Sequence, residues 1–400
     1  MNNRNFMNDF SFKVPQTIQS GLGSLKKLPE FLAASGSEHV FLVSDRGLEK
    51  LGVVKKVQDI IENADLKCTC FLDVVPNPTI GCVNTAAELY KSCGATSIIA
   101  LGGGSPMDVS KAVGVLAKFG GKITDYEGLY KVPGQIVPII AIPTTAGTGS
   151  EVTASAVITD TERNFKFSVI SYEMIPQYAI LDPELIMTAP AFIAASCGVD
   201  ALIHAMEAYV SNFATPFSDA MAEKAMELIG GNIRRFVANR KDPEAAAAMM
   251  LGSNFAGISF AWAKLGNVHA MSHPVSAYWH VAHGVANSVL LPAVVEYNAI
   301  ADNGRYEKIY NFIRESKEPA SNFVPSMLVE EIKKLNKDLG IPDGLLAACQ
   351  AASRDKVVTA EDVIATFDAM SADAMKAANI LANPRQSTVN DIKALYYKAL

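Results

Sequence analysis

Short β-branched runs separated by amphipathic stretches fill the first half of the chain: His39 to Ser44, Thr69 to Val75, Ser97 to Leu101, Ile136 to Ile142 and Ala179 to Leu181. Strand-length runs alternating with helical patterns predict a parallel α/β sheet. After Asp182-Pro183 the strand signals fade. Stretches rich in Ala, Met, Leu and Glu, such as Ser218 to Ile229 and Ala245 to Phe260, carry the pattern to the C-terminus and predict helices. A chain of 400 residues exceeds the usual single core, so two domains are expected, an α/β domain over 1–185 and an all-helical domain over 186–400. Phe10 to Ile18 alternates like a strand near a sheet edge, where pairing with a second copy would cover its open hydrogen bonds; a homodimer is expected.

The net charge of −6 and the lack of any Lys/Arg block argue against nucleic acid or an acidic membrane surface as partner and leave a small molecule. No stretch approaches the ~18 uninterrupted apolar residues of a membrane helix. Met1 to Asn5 is polar and no signal-type core follows, so a cytoplasmic protein is expected. The six cysteines form no CxxC pair and no dense framework, as reduced thiols would.

Candidate chemistry concentrates in the helical half, where five of the six histidines fall between positions 204 and 283. Residues four apart share a helix face and aim two donors at one point. Asp200 and His204 have that spacing; His269 and His273 repeat it, and His283 follows ten residues on. Pro274 should bend the second helix. A set of imidazoles with one carboxylate suits Zn or Fe(II), whereas Mg or Ca would want more oxygens. The competing reading is a scatter of helix and core histidines satisfied by backbone partners.

In the α/β half, Ser97 to Leu101 runs into Gly102-Gly103-Gly104-Ser105-Pro106-Met107-Asp108 and then a helical stretch. Glycines let backbone approach a pyrophosphate, Ser105 suits the helix cap, Pro106 suits its first position, and the free N–H groups there attract anions. This is not the GxGxxG fingerprint. A second loop, Pro143 to Glu151, follows another apolar strand with small and hydroxyl side chains, and two such loops suggest a dinucleotide. Asp45 closes the first strand, where a carboxylate can accept from an adenosine ribose and repel the 2′-phosphate of NADP, favouring NAD; its plain alternative is a helix cap.

GGGSPMD at 102–108, PTTAGTGSE at 143–151, Asp200 with His204, HAMSHP with AHG at 269–284, and Asn383-Pro384-Arg385 together resemble the iron-containing (group III) alcohol dehydrogenase family over nearly the whole chain. The resemblance implies a Rossmann-like NAD(H) domain and an all-helical domain, with Fe(II), or Zn, held in the cleft by Asp200, His204, His269 and His283. It makes His273 a non-ligand residue for substrate positioning or proton relay. It assigns Lys166 to the cofactor ribose, Asn77, Gly103, Gly104, Ser105, Asp108, Thr144, Thr145 and Thr148 to the cofactor loops, and Leu181 to packing against adenine. The implied reaction is metal-assisted hydride transfer between an alcohol or aldehyde carbon and the nicotinamide. Dehydroquinate synthase-type lyases share this architecture and use the hydride only transiently.

Several positions depart from the commonest family pattern: Trp262 stands where Asn is frequent, and Ser276 and Ala282 replace common Gly and Pro. Phe260 and Trp262 lead into the second histidine helix, at a spacing that also fits core packing. A polar pocket around Ser155 and Asn379 would admit a short aldehyde with a second polar or anionic group, such as a hydroxy-, sulfo- or phosphono-aldehyde. His280, three residues before His283, is read as lining the cleft.

Overall fold

The computed structural model describes residues 12, 14, 17–163, 165–316, 322–353 and 356–400. The chain divides into two compact units, Lys13–Thr188 and Ala189–Leu400, with Phe12 belonging to the second.

The first unit is built on a six-stranded sheet. Its strands are β1 (Thr17–Ser20), β2 (His39–Val43), β3 (Lys67–Phe71), β4 (Ser97–Gly102), β6 (Ile139–Pro143) and β9 (Tyr178–Leu181), in the order β1-β9-β6-β4-β2-β3. Every neighbouring pair is parallel. A parallel sheet needs cover on both faces, and the alternation of side chains supplies it. Phe41, Val43, Ile98 and Ala100 enter one buried cluster, while Val40, Leu42, Ile99 and Leu101 enter the other.

A second sheet is the main feature that the reading of a purely parallel pattern missed. β7 (Ser155–Asp160) and β8 (Phe165–Ile170) pair antiparallel, and the two-residue β5 (Gly128–Leu129) adds to β8. Only one face of this hairpin is buried, by Ala156, Ile158, Phe167 and Val169, so its hydrophobic runs are interrupted by Lys166 and Ser168. Of the strand expected over 10–18, only residues 12, 14, 17 and 18 lie among the described residues, and β1 begins at Thr17.

All regular structure described in the second unit is helical. Helices Ala191–Val210, Pro216–Ala238 and Pro243–Ala263 pack on one another, and His283–Asn298 packs against Ala191–Val210 and Asn267–Trp279. Ala191–Val210 and Pro243–Ala263 are long and apolar enough to cross a membrane, but both are mostly buried in this helical packing, and the first carries Asp200, His204 and Glu207. Gly284 permits one close approach, since a Cβ there would collide with the carbonyl of Ser196. Asn267–Trp279 continues through Pro274 as a single helix. Pro274 is the eighth residue of that helix, and packing on His283–Asn298 and Phe367–Ala374 outweighs its missing donor.

Candidate active site

In the helical unit, Ala191–Val210 places Asp200, His204 and Glu207 along one face, one turn after another. His269 lies in the first turn of Asn267–Trp279, and His283 is the first residue of His283–Asn298. The three helices bring these side chains to one point. Asp200 Oδ1 is 3.6 Å from His269 Nε2, 3.8 Å from His283 Nε2 and 3.9 Å from His204 Nε2. Asp200, His269 and His283 form the tighter trio, with all donor atoms within 4.8 Å of one another. The His204 ring stacks on His269 at 4.6 Å and packs on Phe260 at 4.5 Å.

The donor set fits a divalent transition metal. Ligand bonds of about 2.0–2.2 Å on a tetrahedron place donors about 3.4 Å apart, close to the separations seen. A second observation is Asn287, one turn after His283. Its Nδ2 donates to Asp200 Oδ1 at 2.6 Å and lies 3.1 Å and 3.2 Å from the Nε2 atoms of His269 and His283. One amide nitrogen thus lies within hydrogen-bond distance of an atom from each of three residues, which shows how closely those atoms approach one point.

The electrostatics agree. Burial alone would raise the Asp200 carboxyl, but the surrounding imidazoles of His204, His283 and His269 outweigh it and hold the group well below the usual carboxylate range. Burial would lower His269, yet the neighbouring carboxylates of Asp200 and Glu207 push it up to about 9. The open side of the cluster is marked by His283, whose side chain is 38% exposed, and by the exposed His273, whose ring stacks on His283 at 5.3 Å. His280 is the left-handed C-cap of Asn267–Trp279, with φ 56°, and is exposed.

Phe260 and Trp262 part company. Phe260 borders His204, whereas Trp262 meets Phe12 in a tilted contact at 5.3 Å, and Phe12 in turn stacks on Phe217 at 5.2 Å. Asn379 is half-buried in the short helix Ala378–Ala382.

In the α/β unit the two glycine-rich loops abut. Gly102 adopts φ 148°, where a side chain would also strike Pro106, and Thr144 N–H donates to its carbonyl at 3.0 Å. A Cβ on Gly103 or Gly104 would lie 3.3 Å or 3.2 Å from the side chain of Thr145 or Thr148, respectively. The helix begins at Gly104 with Gly103 as N-cap, so the expectation of Ser105 as cap and Pro106 as first residue is corrected by two positions. Pro106 is tolerated there because the first four N–H groups of a helix have no partner within it.

Asp108 faces the second loop. Its Oδ1 accepts from Ser150 Oγ at 3.3 Å and its Oδ2 from Val157 N–H at 3.2 Å, so it ties the helix to the second loop and to β7. One turn on, Lys111 is fully buried and donates to Ser150 Oγ, Thr153 Oγ1 and the Ser155 carbonyl at 3.0, 3.3 and 2.8 Å. Desolvation pushes Asp108 up to about 6 and Lys111 down to about 8, against their mutual attraction. Asp45 caps the helix Arg46–Lys50, its Oδ1 accepting from Gly47 and Leu48 N–H. Lys166 Nζ donates to Asn77 Oδ1 at 2.8 Å, and Asn77 is held at φ 56°. Leu181 is fully buried at the end of β9 beside β1.

Sequence reasoning missed Glu207, Asn287 and Lys111. Each had a legible signal, lying three or four residues from a flagged one on the same helix face: His204, His283 and Asp108. Asn383, noted only as part of a C-terminal motif, proves to be a buried junction. It accepts from Asn267 N–H at 3.2 Å and from Asn298 Nδ2 at 3.0 Å, and donates to Asn298 Oδ1 and the Arg385 carbonyl. Asn383→Ala should therefore destabilise the protein by about 2 kcal/mol, read as a lower urea midpoint, because it strands buried partners. An unchanged midpoint would show that water replaces the amide without loss.

Comparison with known proteins agrees with this geometry across the chain. The profile of the iron-containing alcohol dehydrogenases matches residues 15–183, and that of the Fe-containing alcohol dehydrogenase family, C-terminal, matches 194–400. The lactaldehyde reductase of Escherichia coli K12 is 38% identical over 388 residues, 96% of this chain and 98% of the relative. A crystal structure of 1,3-propanediol oxidoreductase superposes with a TM-score of 0.92 at 34% identity, covering 98% of this chain and 100% of that one. The sulfoacetaldehyde reductase of Bifidobacterium kashiwanohense, solved in complex with NAD+, gives 0.86 at 29% identity, covering 98% and 99%. Converging imidazoles and carboxylate in a helical unit, glycine-rich loops on a parallel sheet, and likeness over nearly every residue have one common explanation: the chain belongs to the iron-containing alcohol dehydrogenase family and is an oxidoreductase of alcohols and aldehydes.

Proposed function

We propose that this protein interconverts a short-chain aldehyde and its primary alcohol with NAD(H) and Fe(II), and that its preferred substrate carries a second polar or anionic group. The observation that carries the reading is the convergence of His204, His269 and His283 on Asp200, with an open side at His283 and His273. When bound there, the ion supplies Lewis acidity toward a carbonyl or alcohol oxygen, and the nicotinamide supplies the hydride chemistry. Asp200 contributes the one negative charge of the set and leaves the ion with net positive charge. In this reading His273, which is exposed and stacked on His283, orients substrate and passes a proton to solvent.

On the cofactor side, the N–H groups at the start of the Gly104–Phe119 helix are suited to the pyrophosphate. Thr144, Thr145 and Thr148 line the facing loop, and Lys166 with Asn77 offers a ribose contact. The preference for a polar aldehyde is supported by relatives named for lactaldehyde and sulfoacetaldehyde.

The test is NADH oxidation by metal-stripped and Fe(II)-reloaded protein with neutral, hydroxylated and anionic short aldehydes. Metal-dependent turnover fastest on a hydroxylated or anionic aldehyde is expected. Equal turnover of plain short aldehydes would remove the substrate preference, and no net NADH consumption on any substrate would remove the dehydrogenase reading.

Asp45 makes a separate prediction. Its Oδ1 is engaged as a cap, leaving Oδ2 for a ribose hydroxyl and the carboxylate's charge to oppose a 2′-phosphate. Asp45→Gly should shift the NADH:NADPH ratio of kcat/KM toward NADPH by about tenfold, or ~1.4 kcal/mol. Glycine is itself an acceptable N-cap, so the stability loss should be a few tenths of a kcal/mol, roughly. An unchanged coenzyme ratio would take Asp45 out of the cofactor site.

A further inference from the structure

Glu207 is buried one turn past His204 and belongs to none of the roles assigned so far. Both of its oxygens are engaged at the start of the Asn267–Trp279 helix. Oε1 accepts from Val268 N–H at 2.7 Å, and Oε2 accepts from His269 Nδ1–H at 2.6 Å. The other nitrogen of the same ring, Nε2, faces Asp200. Gly266 makes the approach possible, because a Cβ there would lie 3.0 Å from both Glu207 Oε1 and Asn383 Oδ1.

We propose that Glu207 is the positioning carboxylate of the metal site: by holding the proton of His269 on Nδ1 and clamping the helix start beside it, it keeps the Nε2 lone pair aimed at the ion. This rests on the reading that Asp200 and the three imidazoles hold a metal. A neutral imidazole has one donor and one acceptor nitrogen, and the partner of the first selects the role of the second. Partners of this kind fix ring orientation and raise ligand basicity. A helix-capping role alone would use only Oε1; the bond from Oε2 to the ring is what the capping role leaves unexplained.

Glu207→Gln separates the two roles. A glutamine of the same shape still has one oxygen to cap Val268 N–H, but then turns an NH2 group toward the Nδ1–H of His269, donor against donor. The imidazole relieves this by moving its proton to Nε2, where it blocks the ion, or by turning away. Zn(II) affinity, measured by competition with a chelator of known affinity, should weaken by about 10- to 100-fold relative to wild type. Asn383→Ala, which loosens the same helix start without touching the ring, should change affinity much less. In the Zn(II)-loaded wild type, a downfield, exchange-protected Nδ1–H proton of His269 is expected by NMR.

Equal Zn(II) affinity in wild type and Glu207→Gln, or an Nδ1–H that exchanges freely with solvent in the wild type, would overturn the proposal. The NMR observation decides even if the variant fails to fold. Failure of the wild type to bind Zn(II) or Fe(II) at all would instead sink the metal-site reading on which it rests.

Discussion

His283→Ala should abolish metal binding and activity together, with kcat/KM falling by at least about 10³, or ~4 kcal/mol of transition-state stabilisation. His283 is the half-open donor of the tight trio, 3.8 Å from Asp200 Oδ1, and it opens a helix whose next residue must be glycine to press against Ser196. Alanine fits that helix start without strain, so the fold should survive while one of the imidazoles is lost. His273→Ala is the contrast. Its ring lies 5.3 Å from that of His283 but is exposed, so the variant should keep its metal and lose about 10²-fold in kcat, with an altered pH profile. Metal content by elemental analysis and kcat on the same preparations check both. Full metal retained by His283→Ala would overturn the ligand set, and metal lost from His273→Ala would move that residue into it.

Lys111→Met should be the most destabilising substitution in the α/β unit, by about 3 kcal/mol near neutral pH. The ammonium is fully buried, bonds both loop hydroxyls and the Ser155 carbonyl, and is the counter-charge of Asp108. Removing it leaves the carboxylate enclosed without a cation. The pH dependence gives the sign. Asp108 already sits at about 6, above its unfolded value, so its ionised form is the disfavoured one in the folded protein. Without Lys111 its folded value rises further. Stability held by the protonated acid is present at low pH and lost as pH rises through that value, at up to about 1.4 kcal/mol per unit. The gap between variant and wild type should therefore be small near pH 5 and widen toward pH 8. Thermal denaturation across that range checks it, and a gap independent of pH would mean that lost packing, not the stranded carboxylate, is responsible. Because Ser150 also touches Asp108, coenzyme KM should rise along with the loss of stability.

Much of this was legible in the chain because it depends on local order. Parallel strands buried on both faces show as apolar runs, which is why β2, β4, β6 and β9 were found near their true limits. The Asp200/His204 spacing is a property of any helix, and the glycine-rich loops declare themselves by composition. The β7–β8 hairpin was missed because its one-sided burial breaks the hydrophobic run, and β5 because two residues carry no periodicity. Asp45 supported two readings by sequence, and its capping bonds to Gly47 and Leu48 are visible only in the fold.

What the sequence determined by itself was the family, the two classes of secondary structure and the residue types able to hold a metal and a dinucleotide. The tertiary structure decided which distant residues share a hydrogen bond. Glu207 and His269 are 62 positions apart, Lys111 and Ser150 are 39, and Asn267 and Asn383 are 116. No periodicity spans such distances. Helical and strand patterns report which face of an element is buried, whereas the partner of a buried polar group is chosen when two elements pack, by the cost of leaving that group without one.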